Sequence, residues 1–259
     1  MRQLIAMAVL LLGCGLAQAQ EESLAVGAKA PGFVLADQSG KWHRLSRVCG
    51  RQVTVLALTR LEHSESPPVM RELEKLQQRY RNERVGIYLI SLGGEQAREA
   101  TSAAVKRWHL TYPVLLEDEF SMPEAYRVKT APRLLVIGQD GVIRFSHGGY
   151  DASIPRKIAA AVEAHRPPKL PHLLDLEGLG CATCKPMPPI LRALQQELAG
   201  KVRIEIWEYD PDLVDEYGLE TMPTQIFYDA DGKEVCRHGG VMTRDEVLDQ
   251  FRKMGVATE

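Results

Sequence analysis

The feature that most constrains the fold is a plan of elements that occurs twice along this chain of 259 residues. Each copy runs from an apolar strand through an amphipathic helix, a second apolar strand and a further helix to a proline-bearing turn and a hairpin. The two hairpins are centred on Asp140-Gly141 and Asp231-Gly232, a pair that is typical of tight turns between strands. A repeat of this length indicates two similar domains, since solenoid repeats are much shorter.

The periodicity places the strands of both copies. In the first copy the predicted strands are residues 53–58, 85–92, 134–137 and 142–145, and in the second copy they are residues 173–176, 202–207, 225–228 and 233–237. Strands that alternate with helices and end in an antiparallel hairpin predict a mixed sheet covered by helices on both faces. The predicted fold class is therefore α/β, with two tandem domains over residues 24–165 and 172–259 and a proline-rich linker over residues 166–171.

Composition excludes several other classes of protein. Hydrophobic residues make up 45% and charged residues 25%, and the 15 prolines and 21 glycines are spread throughout, so collagen-like, coiled-coil and wholly disordered chains are excluded. The net charge is −2, and no run of Lys or Arg stands out. The charge pattern therefore favours neither a nucleic-acid partner nor a basic helix on a membrane surface.

The first residues have the layout of a secretory signal peptide. Arg2 gives a positive start, and the apolar run over residues 4–12 is too short to span a bilayer. Small residues follow at positions 17 and 19, which predicts a signal over residues 1–19. The alternative is a lipoprotein signal, because residues 11–14 resemble the bacterial lipobox and would make Cys14 a lipid anchor. Both interpretations predict export, to the periplasm of a bacterium, where the remaining cysteines meet an oxidising compartment.

Two of the five cysteines form a C-x-x-C pair. Cys181 and Cys184 follow the first strand of the second copy, so we expect them in the opening turn of the next helix. Unpaired backbone N–H groups and the helix dipole would stabilise a thiolate at Cys181 there. Two intervening residues let Cys184 reach back to a mixed disulfide on Cys181, so the pair can act as a two-electron switch.

The second copy resembles thioredoxin from about residue 168 to residue 259. The run over residues 181–191 matches C-x-x-C-K-x-x-x-P-I-L, including Pro189, and Asp175 stands six residues before Cys181. Met222-Pro223-Thr224 matches the cis-proline loop of that family, and Gly239-Gly240 matches the glycine turn that borders its substrate groove. The resemblance thus rests on several motifs in the right order.

This resemblance implies an exported thiol-disulfide oxidoreductase of thioredoxin-like fold that reduces disulfides in client proteins. Cys181 would attack and Cys184 would resolve, Asp175 would assist proton transfer, and Met222, cis-Pro223 and Gly240 would hold the substrate backbone. Neither a dissociable cofactor nor a metal is implied. Electrons would come from a membrane thiol transporter and pass to cysteine-bearing clients, an apocytochrome c among them.

Three departures from the thioredoxin pattern concern the surroundings of the pair. Gly180 replaces the usual Trp, the intervening residues are Ala182-Thr183 rather than Gly-Pro, and residues 202–210 contain no lysine to partner the buried acid. These positions tune redox potential and partner choice, so the reducing strength of thioredoxin does not carry over.

The first copy resembles the redoxin family, which includes peroxiredoxins and cytochrome-maturation thioredoxins. Residues 27–40 match G-x-x-A-P-x-F-x-L-x-D-x-x-G, and residues 130–132 resemble a second cis-proline loop. Where cytochrome-maturation relatives have W-C-P-P-C, residues 65–69 read Glu-Ser-Pro-Pro-Val, so Ser66 and Val69 replace both thiols. Serine cannot cycle through a disulfide, which predicts a degenerate domain used for docking, spacing or dimerisation.

Other interpretations of the cysteines stay open at this stage. Cys181 and Cys184 could form a structural disulfide or, with Cys236 and His238, a zinc site in a non-enzymatic client-binding module. The same pair would also serve a disulfide isomerase or oxidase. Cys49, predicted in a loop before the first core strand, is inert or forms a disulfide with Cys236. Asp175 could also be an ordinary acidic residue at the end of a strand, without a role in proton transfer.

Overall fold

The computed structural model describes residues 24–258 apart from residues 63, 65, 82, 95, 118, 179, 209–213 and 215–216. The predicted signal over residues 1–19 and the lipobox cysteine Cys14 lie outside the described residues. Much of the segment between residues 208 and 221, where the second copy should hold its further helix, also lies outside them.

The described strands and helices follow the two predicted copies in order. The strands are β1 Val34–Ala36, β2 Trp42–Arg44, β3 Val53–Thr59, β4 Val85–Ser91, β5 Val114–Leu116, β6 Arg133–Ile137, β7 Ile143–Gly148, β8 His172–Glu177, β9 Arg203–Glu208, β10 Thr224–Tyr228 and β11 Glu234–Gly239. The helices are α1 Leu45–Arg51, α2 Ser66–Arg79, α3 Ala97–Trp108, α4 Ser121–Ala125, α5 Ile154–His165, α6 Met187–Glu197 and α7 Arg244–Lys253.

The N-terminal half, residues 24–165, contains a five-stranded sheet in the order β5-β4-β3-β6-β7. β3, β4 and β5 run parallel, whereas β6 is antiparallel to both β3 and β7. Every residue of β3 and β4 is buried, as expected of central parallel strands that are covered on both faces. Helices α2 and α5 pack on one face of this sheet, and α1 and α4 pack on the other.

The C-terminal half, residues 172–258, contains a four-stranded sheet in the order β11-β10-β8-β9. β8 and β9 are parallel, whereas β10 is antiparallel to both β8 and β11. Helices α6 and α7 pack on one face, where the rings of Phe227 and Phe251 meet edge to face at 5.5 Å. Both halves therefore have a mixed sheet flanked by helices, which confirms the predicted fold class, although α6 and α7 both lie on the same face of the second sheet.

The N-terminal half contacts the opposite face of the second sheet. The guanidinium of Arg51 lies 3.8 Å above the ring of Trp207, and Nη2 of Arg84 lies 3.0 Å from the Oε1 carboxylate oxygen of Glu205. Trp207 also packs against a small apolar cluster on that face, which contains Leu174. The two halves are thus in contact through a stacked cation and an ion pair.

One sequence prediction about local structure is wrong. Cys49 lies in helix α1 rather than in a loop, because Leu45, Val48 and Cys49 recur at helical spacing and bury one face of this short helix against β3. Within the described ranges, no helix is long and apolar enough to cross a membrane.

Candidate functional site

Cys181 and Cys184 are joined by a disulfide at the junction between β8 and α6. We expected the pair in the opening turn of the helix, but turn residues 182–186 separate Cys181 from the first helical residue, Met187. The reason lies in the sequence, because prolines at 186, 188 and 189 lack the N–H donors that would extend the regular helix back over the pair. The disulfide is therefore held in a tight turn directly before α6.

The sulfur of Cys181 is the better placed of the two to react. Cys184 is 2% exposed, whereas Cys181 is only half-buried. The Cys184 backbone N–H donates to the Cys181 Sγ at 3.1 Å, and the Thr183 hydroxyl lies 3.1 Å from the same sulfur. In the reduced protein these two donors would stabilise a thiolate on Cys181.

The proline loop of the C-terminal half lies against the disulfide. The Met222–Pro223 peptide bond is cis, as the resemblance to thioredoxin implies. A Cβ built on Gly178 would lie 3.0 Å from the Cβ of Cys181 and 3.4 Å from the Sδ of Met222, so the end of β8, the loop and the cysteine meet at this glycine. The absence of a side chain at residue 178 lets them approach so closely.

The glycine turn after β11 closes the same loop from the other side. The N–H of Gly240 donates to the carbonyl of Pro223 at 2.8 Å, and Gly240 has a φ of +104°. A Cβ on Gly239 would lie 2.5 Å from the side chain of Thr221, so a larger residue would push the loop away. Met222, Pro223 and Gly240 are therefore brought together beside Cys181.

Asp175 lies on the inner strand β8, three residues before Gly178, with 0% of its surface exposed. Its Oδ1 accepts a hydrogen bond of 2.7 Å from the Nε2 of Gln225, its partner on β10. On the other side, the residue in register with Asp175 is the apolar Ile206 of β9. This agrees with the lack of a lysine over residues 202–210. Burial, together with the neighbouring carboxyl of Glu177, raises the pKa of Asp175 to about 7.

Three residues near the pair were not among the predicted site residues. Glu177 and Gln225 contact Asp175, and Thr183 contacts Cys181. The strand period could have identified Glu177, because it stands two residues after Asp175 and therefore on the same face of β8. Identifying Gln225 would have required knowledge that β10 pairs with β8, which the sequence does not specify.

Cys49 and Cys236 are free thiols in the structure. Cys49 is buried, which raises the pKa of its thiol to about 11, and its sulfur lies 3.7 Å from the Thr54 hydroxyl. Cys236 is half-buried on β11 in the other half of the chain. Over the ranges that the structure describes, no group of His, Cys, Asp and Glu side chains is arranged to hold a metal ion.

Comparison with known proteins identifies the family. A thioredoxin from Chlamydia caviae is 35% identical over 80 residues, which is 29% of this chain and 74% of that protein. The chain belongs to the thioredoxin family. A profile of the AhpC/TSA family also matches residues 26–146, within the segment whose sequence resembles the redoxins.

Two further similarities extend the comparison. The thiol-disulfide oxidoreductase ResA from Geobacillus kaustophilus is 25% identical over 126 residues, covering 48% of this chain and 70% of that protein. The crystal structure of a protein assigned as thiol:disulfide interchange protein DsbE from Chlorobium tepidum superposes with a TM-score of 0.51 at 20% identity. This superposition covers 55% of the chain and 98% of that structure, and it supports the thioredoxin-like fold.

The corresponding place in the N-terminal half has the thioredoxin-like fold with different side chains. Ser66 is the first residue of α2 and is fully buried, and its hydroxyl donates to the carbonyl of Arg60 at 2.6 Å and contacts the Thr59 hydroxyl at 2.9 Å. Val69 is buried in the apolar core. The Ala131–Pro132 peptide bond of the neighbouring loop is cis, as the sequence resemblance implies.

Proposed function

We propose that this protein is an exported thiol-disulfide oxidoreductase whose Cys181–Cys184 pair reduces disulfides in client proteins. The observation that carries the proposal is the disulfide itself, with the half-buried Cys181 beside a cis-proline loop and the buried Cys184 behind it. Membership of the thioredoxin family and the oxidoreductase activity named for the relative ResA support a redox role.

The reaction begins with the reduced pair. The Cys181 thiolate attacks one sulfur of a client disulfide, forms a mixed disulfide and releases the other client sulfur as a thiolate. Cys184 then loses its proton, attacks the Cys181 sulfur and releases the second client thiolate. Two electrons pass to the client, the two released thiolates take up protons, and Asp175 accepts the proton that Cys184 gives up.

The client would lie along the proline loop. Met222 and Pro223 stand beside Cys181, and Gly240 keeps the adjacent turn free of side chains. An extended client segment that pairs with the Met222 backbone would bring its own disulfide to the exposed face of Cys181, in the manner of strand addition. This mode recognises a backbone, so it suits many client sequences.

The remaining parts of the proposal concern location and organisation. The signal over residues 1–19, or lipidation at Cys14, would place the protein in the periplasm or on a membrane. A membrane thiol transporter would then supply electrons, and cysteine-bearing proteins such as an apocytochrome c would receive them. Residues 24–165 and 172–259 would form two domains, the first serving docking, spacing or dimerisation.

Reduction of insulin disulfides tests the proposal. The protein should accelerate insulin reduction by dithiothreitol, the Cys181→Ser variant should lose that acceleration, and Ser66→Ala should retain it. Unchanged activity in Cys181→Ser would contradict the catalytic role of the pair. The reduction potential then tests the direction, since a value near thioredoxin's about −270 mV fits a reductant and one near DsbA's about −120 mV fits an oxidase.

A further inference from the structure

Two carboxyl groups lie on β8, the strand that ends just before the disulfide turn. Asp175 and Glu177 are two residues apart on β8, so their side chains are on the same face of the sheet. This is the face that α6 covers, because Leu173, two residues earlier on the strand, packs in the cluster that contains the buried side chains of α6. The carboxyl of Glu177 is close enough to that of Asp175 to raise the pKa of Asp175.

Too few hydrogen-bond donors surround the oxygens of these two carboxyl groups. Gln225 donates to Oδ1 of Asp175, but among the described residues no donor reaches the buried Oδ2 of Asp175 or the buried Oε1 of Glu177. Ionised carboxylates only accept hydrogen bonds, so two of them in contact would repel each other and leave both oxygens without a partner. A proton on either carboxyl group would turn one of its oxygens into a donor.

The surroundings favour a bound proton. The charged groups that act on Glu177 from neighbouring elements are Arg192 of α6 and Glu208 of β9, which have opposite effects. Asp175 faces the neutral amide of Gln225 on β10 and the apolar Ile206 on β9. Burial raises the pKa of both carboxyl groups.

We propose that Asp175 and Glu177 share one proton and that Glu177 is a positioning residue that passes the proton of Cys184 from Asp175 to solvent. Asp175 is fully enclosed, whereas Glu177 is only partly buried and ends β8 one residue before Gly178, which contacts Cys181. The proton route runs from the buried side of the disulfide outwards. The relay rests on the proposed disulfide exchange, but the shared proton can be tested without it.

The proton transfer balances in one step. Before it, Cys184 is a thiol, Asp175 is protonated and donates to Glu177, and Glu177 is ionised. The Cys184 proton moves to Asp175 while the proton of Asp175 moves to Glu177, which leaves a Cys184 thiolate and two protonated carboxyls. The thiolate attacks the mixed disulfide on Cys181, and Glu177 releases its proton to water, which restores the singly protonated pair.

Carbon-13 NMR titration of the carboxyl carbons in the oxidised full chain tests the shared proton directly. We expect Asp175 and Glu177 to titrate together in two separated steps, and the Asp175 midpoint to shift towards its ordinary value in Glu177→Gln. Independent single transitions in the wild type, or an unchanged Asp175 midpoint in the variant, would overturn the shared proton. Since the wild type is itself informative, failure of the variant to fold leaves the test intact.

The pH dependence of mixed-disulfide resolution tests the relay. At pH 7 we expect Glu177→Gln to resolve about tenfold more slowly and with a displaced pH profile, a smaller loss than the 100-fold or more typical of removing a general base. Glu208→Gln is the control, because it removes an exposed carboxylate in register with Glu177 on the neighbouring strand β9. Its rate of resolution should stay within about twofold of the wild-type rate. Equal profiles for wild type and Glu177→Gln would refute the relay while leaving the proposed function standing, and inactivity of the wild type would refute the function.

Discussion

The two halves of the chain build the same proline loop on the same part of a sheet. Gly149 donates to the carbonyl of Pro132 at 2.7 Å, and Gly240 donates to the carbonyl of Pro223 at 2.8 Å. Both glycines end a His-Gly-Gly sequence that closes a hairpin. The backbone of the proline loop is therefore present in both halves, although only the C-terminal half has the cysteine pair.

The residues behind the loop differ. The comparison begins two residues after the cis-proline of each half. There Leu134 lies in strand register with Ala57 in the N-terminal half, whereas Gln225 lies in register with Asp175 in the C-terminal half. Two positions further along the central strands, Thr59 hydrogen-bonds the buried Ser66, while the carboxyl of Glu177 raises the pKa of Asp175. Apolar side chains at the first pair and neutral hydroxyls at the second avoid the cost of a buried acid, so the fold is compatible with either set of residues.

The largest effect that we expect from this difference is on stability. Because the pKa of Asp175 is raised to about 7 in the folded protein, the unfolded chain loses this proton first, and stability should fall as pH rises from about 4 to 7. The loss should amount to about 2–4 kcal/mol. Urea unfolding at pH 5 and pH 8 should show it in wild type and a smaller change in Asp175→Asn, and equal pH dependences would contradict the assignment.

The next effect concerns the resolving step. Asp175→Asn removes the group that accepts the Cys184 proton, so resolution of the mixed disulfide at pH 7 should slow about 100-fold, while the first attack by Cys181 stays near the wild-type rate. Stopped-flow measurement of both steps separates them. Equal slowing of the two steps would show that Asp175 acts on the pair as a whole.

Restoring thiols to the N-terminal half tests whether burial alone would make those thiols unreactive. In a chain that lacks Cys181 and Cys184, Ser66→Cys with Val69→Cys should react with iodoacetamide at least about tenfold more slowly than Cys181 does in reduced wild type, because position 66 is 0% exposed. Mass spectrometry of the labelled peptides measures this rate. Reaction as fast as that of Cys181 would mean that the missing thiols are the whole difference between the halves.

The smallest effect concerns the hydroxyl beside Cys181. Thr183→Val removes a donor 3.1 Å from the sulfur, which should slow alkylation of Cys181 at pH 7 by a factor of about 2–10. Thr183→Ser keeps the hydroxyl and serves as the control. If both variants reacted like wild type, the backbone N–H of Cys184 would be sufficient to stabilise the thiolate.

Short-range patterns predicted much of the fold and part of the site. Apolar runs predicted β3 and β4, and the Asp-Gly pairs predicted both hairpins, since these signals lie within a few residues. The contact of Glu177 and Gln225 with Asp175 was not predicted, because it depends on which strands pair and in what register. The helical position of Cys49 was missed because α1 has only seven residues and thus a weak periodic signal.

Trapping a client on the protein tests the central claim most directly. In Cys184→Ser the mixed disulfide cannot be resolved, so incubation of the reduced variant with a disulfide-bonded peptide should give a covalent adduct. Peptide mapping should locate this adduct at Cys181, since Cys49 is buried in the other half and Cys236 is half-buried on β11. An adduct at Cys49 or Cys236, or no adduct at all, would contradict the assignment of Cys181 as the attacking thiol.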